Sequence, residues 1–294
     1  MTTALPAFAR QAWRLLEPLH AVTYFSPEPL QAFKTAGYRG FWMGYFAGRA
    51  APLGPVGPEI VHALFYNFTV DRVAKALPSA WEFAPPQAAL TAREEGATAA
   101  LRRQLGDLAD SPSLAAAAEL ACRAAAAAPL EGRALFAANR ALPEPTDPVA
   151  RLWYAATLLR EHRGDGHIAA LLAAGVGGRE SHVLQALANG TDRGIYTVSR
   201  DYDDQEWAGR HDALRSRGWA GDNGLTDTGA AVKHEIEART DAAAASAYTV
   251  LTPEERDELL RLLRPLARAV IAAGEIPRVT PIGLDLGEAA SPAR

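Results

Sequence analysis

Cysteine is almost missing from this chain: Cys122 alone stands among 294 residues. That excludes an internal disulfide and any zinc or iron–sulfur centre built on cysteines. No apolar run reaches the roughly 18–20 residues that a bilayer span requires. The opening stretch MTTALPAFARQAWRLLEPLH carries charges throughout, so it is not expected to act as a signal peptide. Positive charge is also in short supply. Thirty Lys and Arg against 34 Asp and Glu leave a net charge of −4, which gives no overall basic footprint for nucleic acid. A cytoplasmic location is the expectation these features leave. There is no P-loop, no dinucleotide glycine fingerprint, no G-x-S-x-G elbow and no H-E-x-x-H. Nucleophilic, metal-hydrolytic and nicotinamide chemistry are thereby disfavoured, and no cofactor or metal is expected. Any catalysis then rests on acid–base groups and positioning.

What the chain does have is concentrated in residues 38–68, which hold eight of its 23 aromatic residues. Gly37, Gly40, Gly44 and Gly48 recur there at helical spacing beside a lone Arg49. Glycine costs about 1 kcal/mol in a helix interior, so a glycine-faced helix implies a close approach to its backbone. Either a second helix or a flat ligand would satisfy it. Arg49, set among aromatic residues, must meet a carboxylate, backbone carbonyls or a ligand anion. Asn67 is either a helix stop or a hydrogen-bonding group in a pocket.

Two halves of the chain read alike. ARQAWRLLEPLHAVTYF (9–25) and ARLWYAATLLREHRGDGH (150–167) share Ala-Arg, Trp, Leu-Leu and His in the same order. Ala36-Gly37-x-x-Gly40 matches Ala174-Gly175-x-x-Gly178, and Trp81 matches Trp219 at the same offset. Each half continues through Leu-Thr into a helical segment. The expectation is an internal duplication. Residues 1–109 form a first winged-helix-like half, 110–148 an Ala- and Pro-rich helical connector, and 149–294 a second half. The fold class is mainly α with short β wings.

The second half carries the clearer signals. HIAALLAAG (167–175) and RESHVLQALANG (179–190) read as helices, the latter ended by Asn189-Gly190. A third begins at the acidic turn Asp203-Asp204. GWAGDNGLT predicts two short strands about a tight turn, and Thr252-x-x-Glu255 is a capping box. RSRGW…DNGLTDTG with LTPEERDELLRLLRPL resembles the wing and C-terminal helices of MarR-type regulators. The chain as a whole, especially YFAGRAAPLGPV, FYNF and ALPSAW, resembles an actinobacterial helix-turn-helix, SalK-like family. The resemblance implies a fold more than an activity. MarR-type subunits dimerise through terminal helices, so a duplicated chain is expected as an internally satisfied pseudo-dimer, or as a homodimer.

A MarR-like recognition helix would place its N-terminal residues at DNA. Here that turn reads Asp203-Asp204-Gln205-Glu206, and the wing is short and acidic. Facing one phosphate charge per ~1.7 Å of duplex, such a turn is repelled, and no specific DNA binding is expected. The ligand-responsive regulator remains the alternative, since Arg210, Arg215 and Arg217 are available for phosphates. Of the seven histidines, His162, His211 and His234 sit among charges and read as solvated, while His167 reads as a helix start. His20, His62 and His182 are each either structural or functional. The expected site lies between the halves, lined by Trp42, Tyr45, Phe46, Phe65, Tyr66 and Asn67. Arg49 would anchor an oxygen there, and His20 or His182 with Tyr24 would move a proton. The expected function is binding of an aromatic or polycyclic small molecule, with cofactor-independent rearrangement, cyclisation, elimination or hydrolysis in specialised metabolism. A non-catalytic binding or resistance protein fits the same residues.

Overall fold

The computed structural model describes residues 4–281, 284 and 286. In chain order, the first helices are α1 (Leu5–Phe25), α2 (Pro27–Thr35), α3 (Gly40–Ala50), α4 (Pro58–Phe65), α5 (Val70–Ala74), α6 (Ala80–Phe83) and α7 (Pro86–Leu105). The middle of the chain forms α8 (Pro112–Ala127), α9 (Ala134–Arg140) and α10 (Pro148–Ala173). Then come α11 (Gly178–Asn189), α12 (Gly194–Arg200) and α13 (Asp204–Ser216), followed by a hairpin of β1 (Ala220–Gly221) and β2 (Gly224–Leu225). Helices α14 (Asp227–Ala245) and α15 (Pro253–Ala272) follow it. The molecule is mainly α. Its one sheet among the described residues is that antiparallel pair, with Ala220 opposite Leu225.

The central element is α10. Asp147 caps it by accepting from the Val149 and Ala150 amides at 3.1 and 3.0 Å, and Pro148 suits the first helical position, where no amide hydrogen is needed. Buried residues occur on every side of α10, because α1, α7, α8, α9 and α14 surround it. The alanines of α8 bury their small side chains in the same core, letting backbones approach closely. One apolar cluster thus draws on α1, α7, α8, α10, α14 and α15. The stretch 110–148, expected as a connector, instead supplies core helices.

Two smaller apolar clusters stand on this bundle. The first gathers Phe33, Tyr38, Phe46, Phe65 and Phe68 of the N-terminal aromatic region with Ala89 and Ala92 of α7. The second joins the end of α10 to α11, α13, the hairpin and α14 through Val183, Leu184, Leu214 and Ile236.

Several local expectations hold. Asp203 caps α13, Gly190 is left-handed at the end of α11, and Thr252 and Glu255 complete the capping box of α15. Others need correction. Residues 167–175 are not a separate helix: His167 lies well inside α10, and buried His162 packs edge-on against Phe136. His162 is therefore not solvated. Leu225-Thr226 stands at the strand–helix junction, whereas Leu90-Thr91 lies inside α7, and the only described hairpin belongs to the second half. The close approach to the glycines of α3 is made by α2. A Cβ on Gly48 would stand 2.4 Å from Phe33 Cζ, so a helix occupies that face rather than a ligand.

Candidate functional site

Where the aromatic region, α10 and the α11–α14 region meet, they leave a cavity of about 1340 Å³. Its walls are brought together by a contact that only glycine permits. A Cβ on Gly178 would lie 1.8 Å from the carbonyl oxygen of Tyr66, so the start of α11 rests directly on the Tyr66–Asn67 backbone. The Tyr66 hydroxyl completes the join by donating to the Val176 carbonyl at 2.5 Å.

The cavity wall includes six of the ten residues singled out from the sequence: Tyr45, Arg49, Phe65, Tyr66, Asn67 and His182. Phe46 does not reach it, being fully buried among Trp42, Phe65 and Phe68. Trp42 also lies outside the wall, covered by the Arg72 guanidinium at 4.2 Å. Both serve the aromatic core.

His20 and Tyr24 sit behind the wall. His20 Nδ1 is 2.9 Å from Thr157 Oγ1 and Nε2 is 2.9 Å from the Tyr24 hydroxyl. They face a separate void of about 10 Å³, room for about one water. Tyr45, Arg49 and Glu161 border both spaces and divide them. Burial, reinforced by Arg160, holds the His20 pKa well below its ordinary value, and burial raises that of Tyr24. The pair is thus neutral at neutral pH.

Arg49 meets a carboxylate of the chain itself. Its Nε and Nη2 lie 3.2 and 3.1 Å from the two oxygens of Glu161, and its guanidinium covers the Phe65 ring at 4.0 Å. Arg160 binds Glu161 at 2.7 Å and approaches Glu17 at 3.7 Å. Burial opposes the charge on Glu161, but Arg160 and Arg49 overcome it and hold its carboxyl well below the usual range. Burial dominates at Glu17 and raises its pKa. On the opposite side, Arg10 and Arg163 pair with Asp241 at 2.6 and 2.8 Å, and Lys233 pairs with Glu237.

His182 differs from these matched groups. The Tyr202 hydroxyl donates its single proton to the Arg179 carbonyl at 2.5 Å, so toward His182 Nδ1, 3.2 Å away, it must accept. This assigns the proton of the neutral imidazole to Nδ1 and leaves a lone pair on Nε2. That Nε2 is buried and has no hydrogen-bond partner. Burial and the nearby Arg200 and Arg179 keep the imidazole pKa well below its ordinary value, so Nε2 is a free base at neutral pH. Chemically, the site offers aromatic surfaces and fixed cations, and its wall residue His182 holds the buried, unpartnered Nε2. Among the described residues, no three His, Cys, Asp or Glu side chains converge as metal ligands.

A model of a helix-turn-helix family matches residues 9–277. The chain belongs to that helix-turn-helix family. The match spans the bundle, the aromatic region and the hairpin, and takes in the cavity walls apart from Val279, Pro281 and Leu284. No match to the chain was found among curated proteins or among solved structures. Among the described residues, no helix is long and apolar enough to cross a membrane.

Glu17, Arg160 and Glu161 were missed as wall residues from sequence. Their signal was present, since Arg160-Glu161 and Arg163 interrupt an apolar helix in the middle of a bundle, where charges must face one another or a cavity. Arg200 gave no such signal. It ends the seven-residue helix α12, too short for periodicity to show its buried face.

Proposed function

We propose that this protein binds an aromatic or polycyclic small molecule in the 1340 Å³ cavity and acts on it by cofactor-independent acid–base chemistry. Rearrangement, cyclisation, elimination and hydrolysis are the reactions open to such a site. The observation that carries the reading is that His182, a residue of the cavity wall, holds a buried Nε2 with no hydrogen-bond partner. A buried polar atom normally finds a partner; on this reading a rotation of the imidazole turns Nε2 to the cavity, where a substrate C–H or O–H supplies that partner and His182 takes its proton. Phe65, Tyr45 and Trp13 offer flat apolar surface of the kind ring systems pack against. The cavity exceeds the usual ~300–1,000 Å³ of small-ligand sites, which suits a molecule of several rings. The SalK-like resemblance supports placing the reaction in specialised metabolism. His20 and Tyr24, expected as catalytic, are assigned instead to supporting the wall from behind.

The test is a panel of two- to four-ring aromatic ketones and β-dicarbonyl compounds, followed by thermal shift and by deuterium uptake at carbon in D2O. The reading expects His182→Ala to abolish exchange while affinity changes little, the signature of a catalyst rather than a binder. Affinity without exchange in the wild type would reduce the protein to a binding or resistance role. A panel with no binder would remove the reading altogether.

A second reading has one observation behind it. Residues 178–245 run as three helices, a hairpin and a fourth helix, and the outer face of α13 is exposed beside the hairpin. A ligand-responsive regulator would use that face. Its opening turn, however, presents Asp203 and Asp204, the latter joined to Arg193, and Arg215 is paired with Asp222 at 2.7 Å. We therefore rank it second. A mobility shift with the protein's own upstream DNA decides it: nanomolar, sequence-dependent retention would place the regulator first.

A further inference from the structure

Around the cavity, Arg10, Arg49, Arg160, Arg163 and Lys233 each contact a carboxylate, and Arg200 does not. Arg49 and Arg160 share Glu161, and Arg10, Arg163 and Lys233 share Glu237 and Asp241. Arg200, only 8% exposed, lines the same cavity and has no carboxylate partner among the described residues. Its Nη1 donates to the Ser199 carbonyl at 3.0 Å, its Nε has no partner, and the guanidinium lies 4.2 Å over the Phe68 ring. Burial is the largest influence on it and lowers its pKa to about 10, and no carboxylate stands among the leading groups acting on it. A buried guanidinium normally sits against an anion, because leaving water uncompensated is costly.

We propose that Arg200 is the anchor of an organic-anion subsite. Its occupant is the carboxylate of an aromatic acid, whose ring lies along Tyr45 and Phe68. Arginine suits this role because its planar fork matches a carboxylate and remains charged when desolvated. The subsite deepens the reading given above and rests on it: the ligand enters the same cavity, with its acidic group at Arg200 and its body within reach of the His182 wall. Arg49, assigned the anchoring role from sequence, already holds both oxygens of Glu161, so the ligand's charge falls to Arg200.

Calorimetric titration of 2-naphthoate and its neutral isostere 2-naphthamide at pH 7 tests the subsite. The expected result is at least tenfold tighter binding of the carboxylate by the wild type. Arg200→Gln is expected to erase that preference while keeping affinity for the carboxamide, and Arg200→Lys to retain part of it. Equal affinities in the wild type would overturn the anion subsite and leave the cavity reading standing. A preference that survives in Arg200→Gln would overturn it as well, by placing the anion elsewhere. Binding of neither compound would overturn both. If Arg200→Gln fails to fold, the wild-type pair and Arg200→Lys still decide.

Discussion

Arg49 and Glu161, 112 positions apart, form a two-point ion pair with both contacts between 3.1 and 3.2 Å, and the pair separates the large cavity from the small void holding His20. Its two members are not equivalent. Glu161 also binds Arg160 at 2.7 Å, so losing the carboxylate leaves Arg49 with none and Arg160 with only Glu17 at 3.7 Å, whereas losing Arg49 leaves Glu161 with a partner. Breaking a buried pair costs about 3–5 kcal/mol when a charge is left uncompensated. Glu161→Ala is expected to fall in that range and Arg49→Ala clearly below it, as read from urea denaturation. Equal losses would contradict the shared-carboxylate arrangement.

The depressed pKa of His182 sets the pH behaviour of any reaction it serves. A free histidine loses its basic form as pH falls through about 6.5, but burial, Arg200 and Arg179 hold this one well below its ordinary value. The base form therefore persists into mildly acid solution. The kcat/KM profile is expected to stay flat from pH 8 to about 5.5. An inflection near the ordinary histidine pKa would assign the base elsewhere.

Asp165 gives a stability prediction with a defined sign. Burial lifts its pKa to about 6 from an ordinary 3.8, despite a 2.9 Å hydrogen bond from the Phe136 amide. The folded protein therefore keeps a proton that the unfolded chain has already lost, and this group's contribution falls as pH rises between about 4 and 6. Asp165→Asn keeps the carbonyl acceptor and removes the charge. It is expected to gain about 1–3 kcal/mol at pH 7 relative to its effect at pH 4. Denaturation midpoints at both pH values check this, and a pH-independent difference would contradict it.

Gly178→Ala tests how the cavity walls are joined. The added methyl would sit 1.8 Å from the Tyr66 carbonyl oxygen, a backbone atom that cannot swing aside as a side chain can. Overpacking of this kind costs about 1–3 kcal/mol. Amide hydrogen exchange is expected to rise along α11 and at 65–68 together. A rise confined to one of them would mean that the walls are not mechanically coupled.

Much of this arrangement can be read from residues alone. The caps Asp203 and Thr252, the left-handed Gly190 and the hairpin before Leu225-Thr226 depend on local chemistry, and local chemistry is what a sequence displays. The cavity was anticipated through its aromatic wall because Tyr45, Phe65 and Tyr66 cluster in the chain as well as in space. Phe46 and Trp42 fall outside the wall for a related reason: four apart on one helix, they share a face that meets the core, while Tyr45 and Arg49 share the face that meets the cavity, and sequence clustering does not say which face is which. His162 looked solvated beside Arg160, Glu161 and Arg163, yet α10 runs through a bundle that buries all four sides. Its charges are paired with α1, α3 and α14, from residues far away in sequence. The connector reading of 110–148 failed similarly, since an alanine-rich helix is as suited to close packing as to spanning a gap.

The central claim is that the cavity between the aromatic region, α10 and α11 is where a small molecule binds. Gln185 lies half-buried in its wall, one turn beyond Ser181 on α11, and tryptophan at this position is expected to narrow the space. The direct measurement is calorimetric binding of the tightest neutral ketone from the panel to wild type and to Gln185→Trp, alongside their urea midpoints. The account predicts at least a tenfold loss of affinity with the midpoint nearly unchanged. Equal affinity in both proteins would contradict it.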